Sequence, residues 1–229
     1  PATWQEALET AAYALKRDGS KIGAIAGDLA CAESMKATLD LLRSLGSPNT
    51  DCRADGAQIG GGARQEYLFN STIAGIDEAD AILLVGANPR IEAPVLNARL
   101  RKAWLRGAEI GVVGEAADLT YKYVHIGAGP QSLSNLGAFG DKLKNAQRPM
   151  VVVGAAALAR ADGAVVLRAA GKIAAGVSKD GWNAFNLLHT AASRVGGLDL
   201  GFLPAQGGMS ATEMLKGGLD TLILLGVDE

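Results

Sequence analysis

Ala81-Ile82-Leu83-Leu84-Val85-Gly86-Ala87-Asn88-Pro89-Arg90-Ile91-Glu92-Ala93-Pro94 is the stretch whose reading decides the fold. Its opening apolar run does not alternate with polar residues, the pattern of a strand covered on both faces. Gly86 lets the backbone turn sharply at the carboxyl end of that strand. Pro94 then opens a helix, whose apolar stripe runs through Val95, Leu96, Leu100 and Trp104 until Gly107 stops it. The segment reads as buried strand, tight Gly-x-Asn-Pro turn and helix. Such a turn leaves backbone N–H groups free beside a helix N-terminus, which suits an anion such as a pyrophosphate. The plainer reading is a structural turn joining strand to helix.

Four other segments repeat the motif of an apolar run closed by glycine: residues 22–27, 110–114, 150–154 and 221–226. Helical stripes lie between them. Trp4, Leu8, Ala11, Ala12 and Leu15 recur at helical spacing, with Thr3 and Glu6 placed as a capping box. Met35, Leu39, Leu42 and Leu45 form another, ended by Gly46, and residues 164–175 and 182–195 read as two more. This strand–helix rhythm predicts an α/β fold with mostly parallel sheets and flanking helices. Residues 53–64, 147–149 and 203–218 read as connections, the last a long surface one. A strand at 221–226 with no helix after it would leave a sheet face bare, so a longer parent polypeptide is expected.

Composition removes several classes. The 229 residues carry 22 Lys and Arg against 24 Asp and Glu, a net charge of -2, without the basic excess that nucleic-acid binding needs. The longest apolar stretches, 81–86 and 150–159, fall far short of the ~20 residues that cross a bilayer. Residues 1–6 show no secretory leader. Cys31 and Cys52 are too few for a metal–thiolate site and read as ordinary thiols of a reducing compartment, the alternative being a single structural disulfide.

No catalytic constellation is visible, and neither catalytic nor metal-ligating residues are assigned. Gly60-Gly61-Gly62 and Gly27-Asp28 match neither phosphate-loop spacing, and no G-x-S-x-G elbow occurs. His189 reads as a packed residue within a helix, and His125 as a weak general-base candidate near a strand end. Asp77-Glu78 and Asp228-Glu229 read as solvated charges.

E-A-D, an apolar run, G-x-N-P and a Pro-led helix together resemble the molybdopterin-guanine-dinucleotide oxidoreductases. Trp4 with Glu6-Ala7-Leu8 resembles their W-x-E-A-L helix, and Asn49-Thr50-Asp51 their N-x-D strand. A closer resemblance, over essentially the whole chain, is to the large iron–sulfur subunit family of respiratory complex I, the proton-pumping NADH:quinone oxidoreductase. It is carried by residues 67–76, by Asn88-Pro89-Arg90 with Glu92-Ala93-Pro94, by residues 97–102, by Asp118-Leu119-Thr120-Tyr121 and by residues 182–189.

The resemblance implies two interleaved Rossmann-like lobes, 1–52 with 147–208 and 53–146 with 219–229. It implies a vestigial pterin-type loop at Gly86, Asn88 and Pro89 that holds no cofactor. Active relatives carry D-P-R after the strand that residues 110–113 resemble; here Gly114-Glu115-Ala116 puts a negative charge where a phosphate would lie. Their metal ligand follows N-x-D by a few residues, where this chain offers only Asp55, off the expected spacing, while Cys52 lies too close to the strand. The 2Fe-2S and 4Fe-4S clusters of the family are implied upstream, since a [4Fe–4S] cluster takes four thiolates. The implied role is a non-catalytic docking domain among other peripheral-arm subunits, with no nucleic acid and no membrane insertion. Its place would be the cytoplasmic side of a bacterial inner membrane or the mitochondrial matrix side. The alternative is a fragment of a molybdopterin-guanine-dinucleotide-dependent oxidoreductase. Arg99, Arg101, Lys102 and Trp104 share one helix, either as a contact surface or as a solvated basic face with Trp104 in the core.

Overall fold

The computed structural model describes residues 1–227 and divides into two compact units. One unit is contiguous, residues 57–190; the other joins residues 1–56 to 191–229. Asp228 and Glu229 lie outside the described residues.

In the discontinuous unit, α1 (Trp4–Ala14) precedes β1 (Ile22–Ala26), α2 (Ala32–Ser44) and β2 (Asn49–Asp51). Its remaining elements, α9 (Arg194–Leu200), α10 (Ala211–Met214) and β8 (Thr221–Leu225), come from the end of the chain. The sheet order is β2-β1-β8, all parallel. The capping box forms as the sequence predicts: Glu6 N–H donates to Thr3 Oγ1 and Thr3 N–H to Glu6 Oε2, 3.3 and 2.8 Å. Met35, Leu39 and Leu42 of α2 are buried, and Gly46 follows the helix at φ +75°.

The contiguous unit contains α3 (Thr72–Gly75), β3 (Ala81–Val85), α4 (Pro89–Glu92), α5 (Pro94–Leu105) and β4 (Glu109–Val113). It continues through β5 (Val124–Gly127), α6 (Ala138–Asn145), β6 (Pro149–Gly154), α7 (Ala155–Leu158), α8 (Gly163–Val177) and β7 (Phe185–Leu188). Five parallel strands stand in the order β5-β4-β3-β6-β7. β3 and β6 are buried along their whole length, as their unbroken apolar runs require. Ile82, Leu84, Met150 and Val152 share one core with Leu96, Leu100 and Trp182. Each such side chain stabilises the unit by about 1.5–3 kcal/mol through burial alone. Gly111 is explained by α6, because a Cβ there would sit 2.7 Å from the Phe139 ring.

Several expectations are corrected. Residues 182–195 do not form one helix. Gly181 turns at φ +71°, residues 185–188 make the fully buried strand β7, and a helix restarts only at Arg194. A short, mostly apolar run such as Phe185-Asn186-Leu187-Leu188 is compatible with either element, and here the free flank of β6 takes it as a strand. Residues 203–218 are not merely surface connection, since α10 buries Ala211 and Met214 under a Ser210–Glu213 capping box. In the second half of the chain residues 147–190 and the strand at 221–225 fall in the opposite units to those expected, while 191–208 stay with residues 1–52. β6 pairs with β3 and so belongs with residues 57–146, whereas β8 pairs with β1.

Candidate functional site

The contiguous unit's sheet has a switch point between its two central strands. From β3 the chain moves outward to β4 and β5, then returns to place β6 and β7 on the other side. Ligands of open α/β sheets bind outside the carboxyl ends at such a point. Gly86 and Gly154 stand there. Gly86 has φ +55°, and a Cβ on it would lie 2.5 Å from Ala157 Cβ. A Cβ on Gly154 would lie 2.5 Å from Gly86 O. The first turn of α7 therefore fills the space between the β3 and β6 ends. What remains open is a cleft of about 570 Å³ over β3 and β4, lined among others by Gly86, Gly114, Glu115, Gly129 and Arg160.

Two of the N–H groups in the turn after β3 are already engaged, that of Gly86 by Val113 O at 2.8 Å. Asn88 N–H donates to Glu92 Oε1 at 2.6 Å. Glu92 is supplied by the single turn of α4 and folds its carboxylate back over the loop. Its second oxygen, Oε2, and Asn88 Oδ1 are buried without a hydrogen-bond partner. Both atoms are acceptors, so the loop calls for a donor, the opposite of what a phosphate oxygen supplies. Pro89 is buried.

The cleft's charges give the same sign. Glu115 lines it and is exposed. Its cation, Arg160, is held by Asp162 in a two-pronged pair, Nε–Oδ1 2.7 Å and Nη2–Oδ2 3.0 Å. Arg90 points elsewhere, donating to Asp118 O at 2.8 Å and pairing with the Asp118 carboxylate. The Thr120 N–H and then Arg90 hold the Asp118 carboxyl below the usual range. Thr120 itself has φ +73°, a strained conformation for a β-branched residue, stabilised by that Asp118 contact at 2.9 Å. Behind it Tyr121 donates to Asn97 Oδ1 at 2.9 Å, and burial pushes its phenol up.

The histidines engage backbone groups. His125 Nε2 lies 2.9 Å from Gly114 O, and His189 Nε2 lies 2.7 Å from Tyr67 O just past β7. His189 is therefore not a helix residue. Asp77 is not simply solvated: Arg99 and Arg106 both pair with it, the latter at 3.1 Å. Arg101 Nε donates to Thr120 O at 3.3 Å, so much of the predicted basic helix face is tied to its own unit. Trp104 packs partly against the core.

In the discontinuous unit, Asn49-Thr50-Asp51 is buried as β2. Asn49 Nδ2 donates to Ser20 O and Ile22 O, and Asp51 accepts from Arg53 Nε at 2.8 Å, from Arg53 Nη2 at 3.0 Å and from Ala211 N–H at 3.0 Å. Cys52 is buried, and desolvation pushes its thiol up to about 12. Asp55 pairs with Arg194 Nη2 at 3.0 Å. Arg194 is 1% exposed and also faces Asp28 at 3.9 Å. Nothing in local spacing marked this arginine, because its partners come from residues more than a hundred positions away.

The molybdopterin oxidoreductase family matches residues 1–229. The chain is 40% identical over 243 residues to the NADH-ubiquinone oxidoreductase 78 kDa subunit, mitochondrial, of Neurospora crassa, covering 100% of this chain and 32% of that protein. It is 42% identical over 212 residues to the protein of the same name from Candida albicans, covering 88% and 29%. With the NADH dehydrogenase (ubiquinone) iron-sulfur protein 1, mitochondrial, of Solanum tuberosum it shares 39% over 210 residues, covering 88% and 28%. The chain thus spans about a third of the length of these relatives.

Proposed function

Because the chain belongs to the molybdopterin oxidoreductase family, and its relatives are subunits of NADH–ubiquinone oxidoreductase, we propose that it is a domain of the iron–sulfur subunit of that complex. In this reading it is a docking domain that keeps the shape of a redox enzyme without its chemistry. Electrons pass from NADH to quinone over clusters carried elsewhere in the assembly. Its partners are other subunits of the peripheral arm, on the matrix side in a mitochondrion or the cytoplasmic side in a bacterium. Among the described residues no helix is long and apolar enough to cross a membrane, in keeping with a peripheral position.

The observation that carries the reading is the Asn88–Glu92 contact. A dinucleotide's pyrophosphate needs N–H donors and positive potential at the carboxyl end of β3. Here a carboxylate takes the Asn88 N–H, Glu115 lines the cleft, and Asp162 engages Arg160. Near Asn49-Thr50-Asp51, Asp55 is ion-paired and the Cys52 thiol is buried in its protonated form, neither of which suits a soft metal centre. The residues do not fit a molybdopterin dinucleotide.

Metal and pterin analysis of the full-length protein tests this. The expected result is molybdenum and tungsten at trace level, with no fluorescent pterin released on denaturation. Either metal at one equivalent, with a pterin, would establish the enzyme reading instead.

A further inference from the structure

We propose that the groove between α6 and α8 is a docking site for an amphipathic helix of another subunit, apolar along one face and carrying Asp or Glu on the flank that meets Lys144 and Lys172. The proposal rests on the docking reading above and deepens it by assigning a surface and the chemistry of its partner.

α6 and α8 lie side by side on one face of the five-stranded sheet, as right-handed crossovers from β5 to β6 and from β6 to β7 require. A groove of about 840 Å³ opens between them. Its floor is apolar, with Leu133 of the 3-10 turn Pro130–Ser134, Leu143 of α6 and Val177 of α8 all buried. One wall is a stripe of α8 made by Val165, Ala169 and Ile173, four residues apart on a single helix face, and Val165 is 56% exposed. Gly140 and Gly176, inside the two helices, leave the groove wide. A Cβ at 176 would meet nothing within 4 Å, and one at 140 only Leu136 Cβ at 3.4 Å. Packing within the unit therefore gives no reason for either glycine, although glycine weakens a helix interior relative to alanine. The space they leave is room for side chains arriving from outside.

Charge selects the partner. Lys144 and Lys172 line the groove and are exposed, and neither enters an ion pair among the described residues. Elsewhere in the unit the cations are matched: Arg90, Arg99, Arg106, Lys142 and Arg160 each pair with a carboxylate. Lys179 Nζ donates to Lys144 O at 3.2 Å, which brings a third amine to that end of α6. Asp141 alone is acidic among the lining residues, so the groove carries a positive excess over an apolar floor. That combination calls for a partner with an apolar face and an acidic edge. No aromatic ring lines the groove, which gives a nucleobase nothing to stack on. Both walls are helices, whose backbone groups are already used within each helix. An extended segment would find no ladder to join there, whereas a helix brings its own backbone hydrogen bonds and offers side chains at i, i+3 or i+4, and i+7.

Lysine acetylation and carbodiimide cross-linking, both read by peptide mass spectrometry, test this on the unsubstituted full-length subunit, alone and within the purified NADH–ubiquinone oxidoreductase. The expected result is acetylation of Lys144 and Lys172 roughly tenfold slower in the complex than in the subunit alone, as burial under a partner requires. Carbodiimide joins an amine to a carboxylate with no spacer, and it should link one of the two lysines to an Asp or Glu on a helix of another subunit. Gly176→Leu enters open space and replaces glycine by a better helix former. It should leave the urea midpoint of the subunit unchanged or raised, while cutting incorporation into the complex by about tenfold. Equal acetylation in the two states would overturn the proposal. So would slow acetylation in the subunit alone, which would assign the groove to its own chain, cross-links confined to this chain, or normal incorporation of Gly176→Leu. Reactive lysines in a complex free of molybdenum would overturn the groove assignment and leave the docking reading standing. Protected, cross-linked lysines in a complex that carries molybdopterin would do the reverse.

Discussion

Gly86→Ala tests the claim that the chain itself fills the switch point. The substitution faces two separate costs. At φ +55° an L-residue loses roughly 1–2 kcal/mol relative to glycine. The new Cβ would also meet Ala157 Cβ at 2.5 Å, more than an ångström inside normal carbon contact, and overpacking of this kind costs about 1–3 kcal/mol. Together they predict a loss of about 2–5 kcal/mol, a fall of roughly 1–2.5 M in urea midpoint for a slope near 2 kcal/mol/M. Tryptophan emission is a suitable readout, since Trp182 is buried in the contiguous unit while Trp4, 85% exposed, changes its surroundings little on unfolding. Gly61→Ala is the control, with φ +80° and open space around the added methyl; it should lose only the backbone share. Ala157→Gly should restore the steric share, giving a coupling of about 1–3 kcal/mol in a double-mutant cycle. Equal losses for Gly86→Ala and Gly61→Ala, or no rescue by Ala157→Gly, would refute the packing account.

Three further outcomes follow from burial. Cys31 is exposed and Cys52 buried, so a thiol reagent at pH 8 should modify one cysteine at once and the second only on unfolding. The Cys52 thiol, ordinarily near 9.0, rises to about 12 in the folded state. Its contribution to stability is therefore full below pH 9 and is lost as pH climbs from 9 toward 12, a loss that Cys52→Ala should abolish in alkaline melting curves. Trp182→Phe removes the donor to Pro149 O, a buried contact of 2.7 Å, and should lower stability by about 1–3 kcal/mol; an unchanged urea midpoint would contradict that hydrogen bond.

Much of the fold was legible because both-face burial writes itself as an unbroken apolar run. β1, β3, β4, β6 and β8 all appear as such segments, each closed by a glycine, which at Gly86, Gly114 and Gly226 takes a positive φ. β7 was not legible, since Phe185-Asn186-Leu187-Leu188 is short and its Asn186 is held by Ser71, a partner 115 residues away. β5 was faint for the opposite reason: as an edge strand with exposed Val124 and His125 it carries little apolar signal. Strand order was invisible, because whether residues 149–154 or 221–225 join β3 or β1 depends on pairings that no local pattern encodes. At the site, Glu115 declared its sign from sequence. The folding of Glu92 onto Asn88 N–H did not, although the four-residue spacing across a Pro-led turn permits it.

The pairing of β1 with β8 has a further consequence during synthesis. Residues 22–26 leave the ribosome long before 221–225 exist, so at roughly 5–20 residues per second the outer flank of β1 waits on the order of ten to forty seconds for its neighbour. The contiguous stretch 57–190 suffers no such delay and has all its strands in hand before translation ends. A nascent chain stalled in that interval would display an unclaimed hydrophobic ribbon, the kind of segment that holdase chaperones recognise.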